Sequence, residues 1–329
     1  MPSNRIRAPQ ETSPGHSGYP GQDMLAQDVT HANLTSRIHL AVTMFKKISL
    51  ITNSKASEVA ETLRALVDFL RQREILIELD ACSAEILDDL DLPVATEETI
   101  GVNSDLAIAI GGDGTMLKAA HLVCTKGIPL LGINRGQLGF LADIPADNFA
   151  IHLEEILKGH FAEDERFMLY TQVHRGSDLV CAYFAFNDVV IQKWNVAKLI
   201  EFETYVDGIF VHKQRSDGMI VASPTGSTAY ALSGGGPILY PSLDALVLVP
   251  ICPHSLTNRP LVINGNSKVE MIVGTWDINH ARLTCDAEIP TELESGDRIL
   301  VEKKNQTLRL IHPANHDHFA ILRAKLRWG

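Results

Sequence analysis

The residues best placed to do chemistry in this chain are Gly111, Gly112, Asp113, Gly114 and Thr115, which set a carboxylate among glycines directly after the apolar run 106–110 (LAIAI). Glycines at the carboxyl end of a buried strand let a ligand approach the backbone, and a helix starting there offers free N–H groups to phosphate. The pentapeptide lacks the GK[ST] of the Walker loop and the glycine spacing of the GxGxxG dinucleotide fingerprint. Its distinctive member is Asp113. An anion beside phosphates has a use if it accepts a proton from a hydroxyl or helps to hold Mg²⁺. Asp and Gly are also ordinary turn formers, so the pentapeptide alone does not define a site.

Three further blocks supply that company. Residues 134–141 (NRGQLGFL) follow another apolar run and line the same crevice, although Gly136 and Gly139 also suit turns and Phe140 and Leu141 a core. Asn187 and Asp188 end a β-rich run; an amide beside a carboxylate can hold the two hydroxyls of a ribose or the edge of adenine, and can equally form an Asx turn. Residues 216–237 (SDGMIVASPTGSTAYALSGGGP) crowd hydroxyls and glycines after a short strand, a composition suited to a diphosphate or a sugar. Lys198 and Arg215 are candidate phosphate partners or solvated cations.

These blocks need rigid elements to position them. Residues 47–51 read as a buried strand. Val59, Leu63, Leu66, Val67 and Leu70 then fall on one stripe of a 3.6-residue period. Strand character returns at 75–79, 106–110 and 128–133, with a helix at 115–125, so the spacing predicts a parallel sheet with crossover helices. After about Phe161 the runs 167–174, 179–186, 200–206, 219–222 and 268–273 are short and β-rich. The stretch 317–326 reads as a closing helix. The expected organisation is an extension over 1–43, an α/β domain over 44–145, a β-rich domain over 146–310, and a C-terminal segment over 311–329 that packs back on the first domain. The extension, rich in Pro, Gly and Ser, is expected to be disordered. Met44, directly before the first strand, is an alternative start.

Composition narrows the function classes. A net charge of −11 without a basic stripe disfavours nucleic acid as a partner. The longest apolar runs, such as 245–252, have strand length and fall short of the roughly 20 residues that cross a bilayer. Cys82, Cys124, Cys181, Cys252 and Cys285 include no CxxC pair and read as core residues in a reducing, cytoplasmic setting. No His/Cys/Glu set has zinc-site spacing, so no metal held by protein side chains alone is expected.

Taken together, the blocks resemble the ATP-dependent NAD kinases, in their bacterial form, over residues 45–328. GGDGT also occurs in diacylglycerol and sphingosine kinases; LGINRGQLGFL (131–141), the 216–237 block and PICPHSLTNRPLVI (250–263) are far more specific. The resemblance implies an α/β N-terminal domain and a β-rich C-terminal domain, the NAD kinase/diacylglycerol kinase-like plan, with NAD in the cleft between them. It implies ATP with Mg²⁺ as donor, and a homodimer or homotetramer.

By the same resemblance Asp113 is the catalytic carboxylate, Gly114 touches substrate, and Gly111, Gly112, Gly114 and Thr115 form the ATP phosphate loop. Asn187 and Asp188 hold ribose and adenine. Thr228, Ala229, Tyr230, Ala231, Leu232 and Ser233 form the adenosine segment, and Asp217 lies near the nicotinamide. Lys118, Lys198 and Arg215 contact the dinucleotide. One departure stands out: after Asp286, where these kinases often carry Gly or Ser and then Gln, the chain has Ala287 and Glu288, which leaves the contact at Ala287 open. Two competing readings are a lipid kinase, which would want a basic or greasy membrane-facing surface, and a sensor that binds NADP(H) without chemistry.

Overall fold

The computed structural model describes residues 37–38, 45–136, 138–194, 198–274 and 281–328. Met44 and most of the extension read as disordered lie outside them. Within that extension Arg37–Ile38 forms a two-residue strand, β1, paired with Glu163 and Ala162. Such pairing is made by backbone groups and needs no apolar period.

The elements that follow are β2 (Lys47–Ile51), α1 (Ser57–Arg71), β3 (Leu76–Leu79), α2 (Ala81–Ile86), β4 (Leu106–Gly111), α3 (Asp113–Val123), β5 (Leu130–Asn134), β6 (Ile144–Pro145) and α4 (Phe149–Leu157), of which the periodicity predicts β2, α1, β3, β4, α3 and β5. Strands β3, β2, β4 and β5 lie side by side in that order, all parallel. A strand covered on both faces should be apolar throughout, and β4 is buried at every position. One face takes α1 and α4, where Leu63, Leu66 and Leu70 meet Ile48, Ile108, Phe149, Leu153 and Ile156. The other takes α3 through Met116, Ala119, Ala120 and Val123. Helices α2 and α4 have no counterpart in the sequence reading: α2 is only six residues, started by the Asp80 side chain accepting from the Ser83 N–H, and the stripe of α4 has only Phe149, Leu153 and Ile156 buried.

The β-rich part comprises β7 (Phe161–Arg175), β8 (Asp178–Ala185), β9 (Asp188–Lys193), β10 (Ile200–Val206), β11 (Ile209–Ser216), β12 (Gly218–Ala222), the short α5 (Tyr230–Ser233), β13 (Ala245–Ile251), β14 (Leu261–Asn264), β15 (Val269–Val273), β16 (Ala281–Cys285), β17 (Glu288–Leu293) and β18 (Arg298–Pro313), closed by α6 (His318–Leu326). An antiparallel six-stranded sheet runs β14-β13-β12-β9-β16-β17. Its inner face, with Val189, Ile191, Val221 and Leu248, packs on Leu169, Phe202, Met271 and Val301 from β7, β10, β15 and β18.

Strand β18 ties the halves together. Arg298 to Val301 pair antiparallel with β15, and Leu310 and Ile311 pair parallel with Leu130 and Leu131 of β5. One sheet therefore continues from the α/β half into the β-rich half, and the division expected at 310/311 falls inside a strand that belongs to both. Helix α6 starts where Asp317 accepts from the Phe319 N–H. The cysteines are all free; Cys124 and Cys285 are buried, but Cys252 is exposed rather than in the core, because it sits just past the end of β13.

Candidate active site

Two depressions each take part of their lining from helix α3, through Thr115 in one and Leu117 in the other, and Asp113 lines neither. The first, about 690 Å³, lies beyond the carboxyl ends of β2, β4 and β5 and is lined by Asn53, Gly111, Gly112, Thr115, Asn134 and Arg135 among others. The chain passes from β4 into α3 so tightly that a Cβ on Gly111, at φ +155°, would stand 2.2 Å from Thr115 Oγ1. Thr115 Oγ1 in turn donates to Asn53 Oδ1, tying the helix to the loop after β2. No side chain caps the start of α3, so its first N–H groups are open to an anion.

Asp113 opens α3, and its carboxylate is held by backbone. Oδ2 accepts from the Phe140 N–H at 2.9 Å, while Oδ1 accepts from Leu141 at 3.0 Å and more weakly from Ala142 at 3.4 Å. Gly139, read from sequence as a turn residue, has a sharper reason to be glycine: a Cβ there would lie 2.2 Å from Asp113 Oδ1. The LGFLA stretch is thus a cradle for the Asp113 carboxylate.

The second depression, about 240 Å³, brings together Asn187, Asp188, Ala229, Tyr230 and Ala287, with Leu117 of α3, Gln192, Thr284 and Asp286 beside them. Asp286 organises it. With Ala287 it forms a two-residue turn between β16 and β17 in which both residues have positive φ, +51° and +63°. Its carboxylate accepts from the N–H groups of Phe186 at 2.7 Å, Asn187 at 2.7 Å and Asp188 at 3.1 Å, and shares a 2.7 Å bond with Nε2 of His121 on α3. One side chain therefore pins the start of β9 to a hairpin and to the α/β half. Burial, and after it the charge of Asp286, pushes the Asp188 carboxyl up to about 7.

The remaining residues singled out from sequence scatter around this centre. Gly114 is exposed at the open end of α3. Lys118 points to the end of β2, donating to Thr52 O at 2.8 Å and Asp80 Oδ2 at 2.7 Å. Asp217 pairs with Lys193 at 2.6 Å. Thr228 Oγ1 donates to Thr225 O; Leu232 is half-buried and Ser233 exposed. Ala231 is fully buried with Val190, Ile220 and Val249, because the short α5 turns its side chain onto the sheet and away from the second depression. Lys198 and Arg215 are exposed and line neither depression.

Residues 48–161 match the family model for the ATP-NAD kinase N-terminal domain, and residues 186–313 match that for the ATP-NAD kinase C-terminal domain. The chain belongs to the NAD kinase family. It is 45% identical to the NAD kinase of Nitrosococcus oceani over 285 residues, covering 87% of this chain and 97% of that one. With the NAD kinase of Pseudomonas entomophila it shares 44% identity, again over 87% of this chain and 96% of the relative. Among solved structures, the NADH kinase of yeast complexed with NADH superposes with a TM-score of 0.81 at 24% identity, over 88% of this chain and 89% of that one. An NAD kinase from Archaeoglobus fulgidus in complex with ATP gives 0.66 at 26% identity, over 85% and 98%. The α/β half with its parallel sheet and the β-rich half are the two parts of the NAD kinase fold.

Within that NAD kinase frame, the residues that shape the two depressions and the Asp113 cradle in ways the sequence concealed are Asp286, His121 and Gly139. Asp286 in a CDAE turn looks like any turn aspartate, and nothing local links it to residues 186–188. The one available signal was Ala287, a non-glycine where a tight turn after Asp favours glycine.

Proposed function

We propose that this member of the NAD kinase family transfers the γ-phosphoryl group of ATP to the 2′-hydroxyl of the adenosine ribose of NAD, giving NADP and ADP. The observation that carries this reading is the convergence of Asn187, Asp188, Ala229, Tyr230 and Ala287 on a pocket that shares α3 with the larger crevice. The pocket takes the adenosine ribose, and the crevice takes the phosphates of ATP against Gly111, Gly112, Gly114 and Thr115. Mg²⁺ enters as part of the Mg-ATP substrate. The crevice also presents Glu58, Asp147 and amide oxygens, hard donors of the kind such an ion accepts.

Phosphoryl transfer runs through a loose transition state, so alignment of the attacking oxygen matters most. Oδ2 of Asp113 accepts one bond, from the Phe140 N–H, and retains a lone pair for the 2′-hydroxyl. As the new P–O bond forms and the bond to the ADP oxygen breaks, the hydroxyl proton passes to Asp113. Help of this kind is worth roughly 10²- to 10⁴-fold. The family resemblance assigns Lys118, Lys198 and Arg215 to the dinucleotide and Asp217 to its nicotinamide end. None of the four lines either depression, so these contacts require the side chains to turn toward the bound substrate.

Incubating the protein with Mg-ATP and NAD and detecting NADP with an NADP-specific dehydrogenase tests the activity, and no NADP would also favour the sensor reading. Asp113→Asn keeps NAD binding by calorimetry and loses at least about 10²-fold in turnover; a normal rate removes Asp113 from this role. The enzyme works in the cytoplasm as a homodimer or homotetramer. Ile209 and Phe210 on the edge strand β11, and Val262 on the edge strand β14, are exposed apolar residues that a second copy can cover; light scattering that finds only monomer rules this out.

A further inference from the structure

The cradle that holds Asp113 is itself held by the C-terminal end of the chain. Phe140, Leu141 and Ala142 donate to Asp113, and the next residue, Asp143, has a side chain only 8% exposed, with its carboxylate between two imidazoles. Asp143 Oδ2 accepts from Nδ1 of His312, at the end of β18, at 2.9 Å and from Nδ1 of His316 at 2.7 Å. His312 is almost fully buried, and the two rings stack with centroids 4.0 Å apart and planes 27° from parallel. The two imidazoles hold the Asp143 carboxyl well below the usual carboxylate range, so it stays ionised as an acceptor for both.

These three groups also carry ligand atoms within 4.8 Å of one another, the arrangement in which a divalent cation is first suspected. The hydrogen bonding argues otherwise. Both Nδ1 atoms are directed at one oxygen of the ionised Asp143 carboxylate, which can only accept, so each carries its proton there and has no lone pair at that nitrogen for an ion. Among the described residues, Asp143 Oδ1 and His312 Nε2 are buried without a hydrogen-bond partner. A cluster serving stability alone would be better filled with apolar groups.

We propose that Asp143, His312 and His316 are positioning residues for phosphoryl transfer: the pair of imidazoles fixes Asp143, Asp143 fixes the backbone of Phe140, Leu141 and Ala142, and that backbone aims the Asp113 carboxylate. The inference rests on the reading of Asp113 as proton acceptor. It connects the C-terminal segment to the reacting atoms through two sets of hydrogen bonds joined by the covalent backbone between Ala142 and Asp143.

The test uses His316, the most accessible of the three, in the full-length protein. His316→Ala lowers kcat by about 10- to 10²-fold, as expected of a small misplacement of a reacting group, and leaves NAD affinity by calorimetry within about threefold of the parent, which is inside the range of a lost neutral contact. His316→Asn, whose amide N–H can stand where Nδ1–H stood, restores most of the rate. In an Asp113→Asn background, His316→Ala has no further effect on the residual rate, because the carboxylate it aims is gone; a purely structural residue would lower both backgrounds by the same factor. Equal losses in the two backgrounds, an unchanged kcat in folded His316→Ala, or a stoichiometric metal ion in the parent that is lost in His316→Ala would each overturn the clamp. If Asp113→Asn itself turns over normally, the Asp113 reading fails; if Asp113→Asn is inactive and His316→Ala is fully active, only the clamp fails.

Discussion

At the scale of the residue, Asp188 shows how burial sets a property that composition does not carry. Its carboxyl, only 4% exposed and close to the charge of Asp286, is pushed up from 3.8 to about 7. Between those values the folded chain keeps a proton that the unfolded chain has lost, so stability falls as pH rises from about 4 to about 7, and a constant penalty remains above that. Asp188→Asn removes the penalty. The variant should therefore be more stable than the parent at pH 8, by on the order of a few kcal/mol, and gain nothing at pH 4. Denaturant melts at the two pH values check this; equal shifts at both would show that the carboxyl does not resist ionisation. In sequence Asp188 was legible as a polar residue at a strand end, beside Asn187. Its partner Asp286 was not, since the two meet only when a hairpin a hundred residues away folds over them.

At the scale of the element, the segment after β5 and the start of α3 act as one unit. The glycines of GGDGT read in sequence as room for a ligand; at Gly111 the structure shows a different need, since a Cβ there would meet Thr115 of the same chain. Gly139 was readable only as a turn former, because the atom it makes room for, Oδ1 of Asp113, lies 26 positions earlier in the chain. Gly139→Ala places a methyl group where that oxygen stands, so the carboxylate must swing away from its three amide donors. The expected result is a loss of turnover of at least about 10²-fold with the fold retained by circular dichroism. A variant with the parent's rate would show that the cradle does not aim the carboxylate. The helices α2 and α4 were missed for a simpler reason: a short helix with few buried positions gives too weak a period to separate from a loop.

At the scale of the whole molecule, β18 decides the architecture. By pairing with β15 at its start and β5 near its end, it makes the sheet of the α/β half continuous with that of the β-rich half. His121 on α3 adds a second tie through Asp286. Two halves joined in this way should melt together. Calorimetry is expected to give one transition with a van't Hoff enthalpy matching the calorimetric one; two resolved transitions would mean that β18 does not couple the halves.

What the sequence determined by itself was whatever is written in neighbouring residues: apolar periods that make strands and helices, glycines at strand ends, and a hydroxyl-rich loop, from which the two-part fold and a nucleotide site follow. What only the tertiary structure decided was whatever depends on residues far apart in the chain. Asp286 reaches residues 186–188, Gly139 clears Asp113, and the tail histidines grip Asp143. The physical reason is that propensity and periodicity act over a few residues, whereas hydrogen bonds and contacts depend on where side chains stand in space, a relation that a single linear sequence does not display.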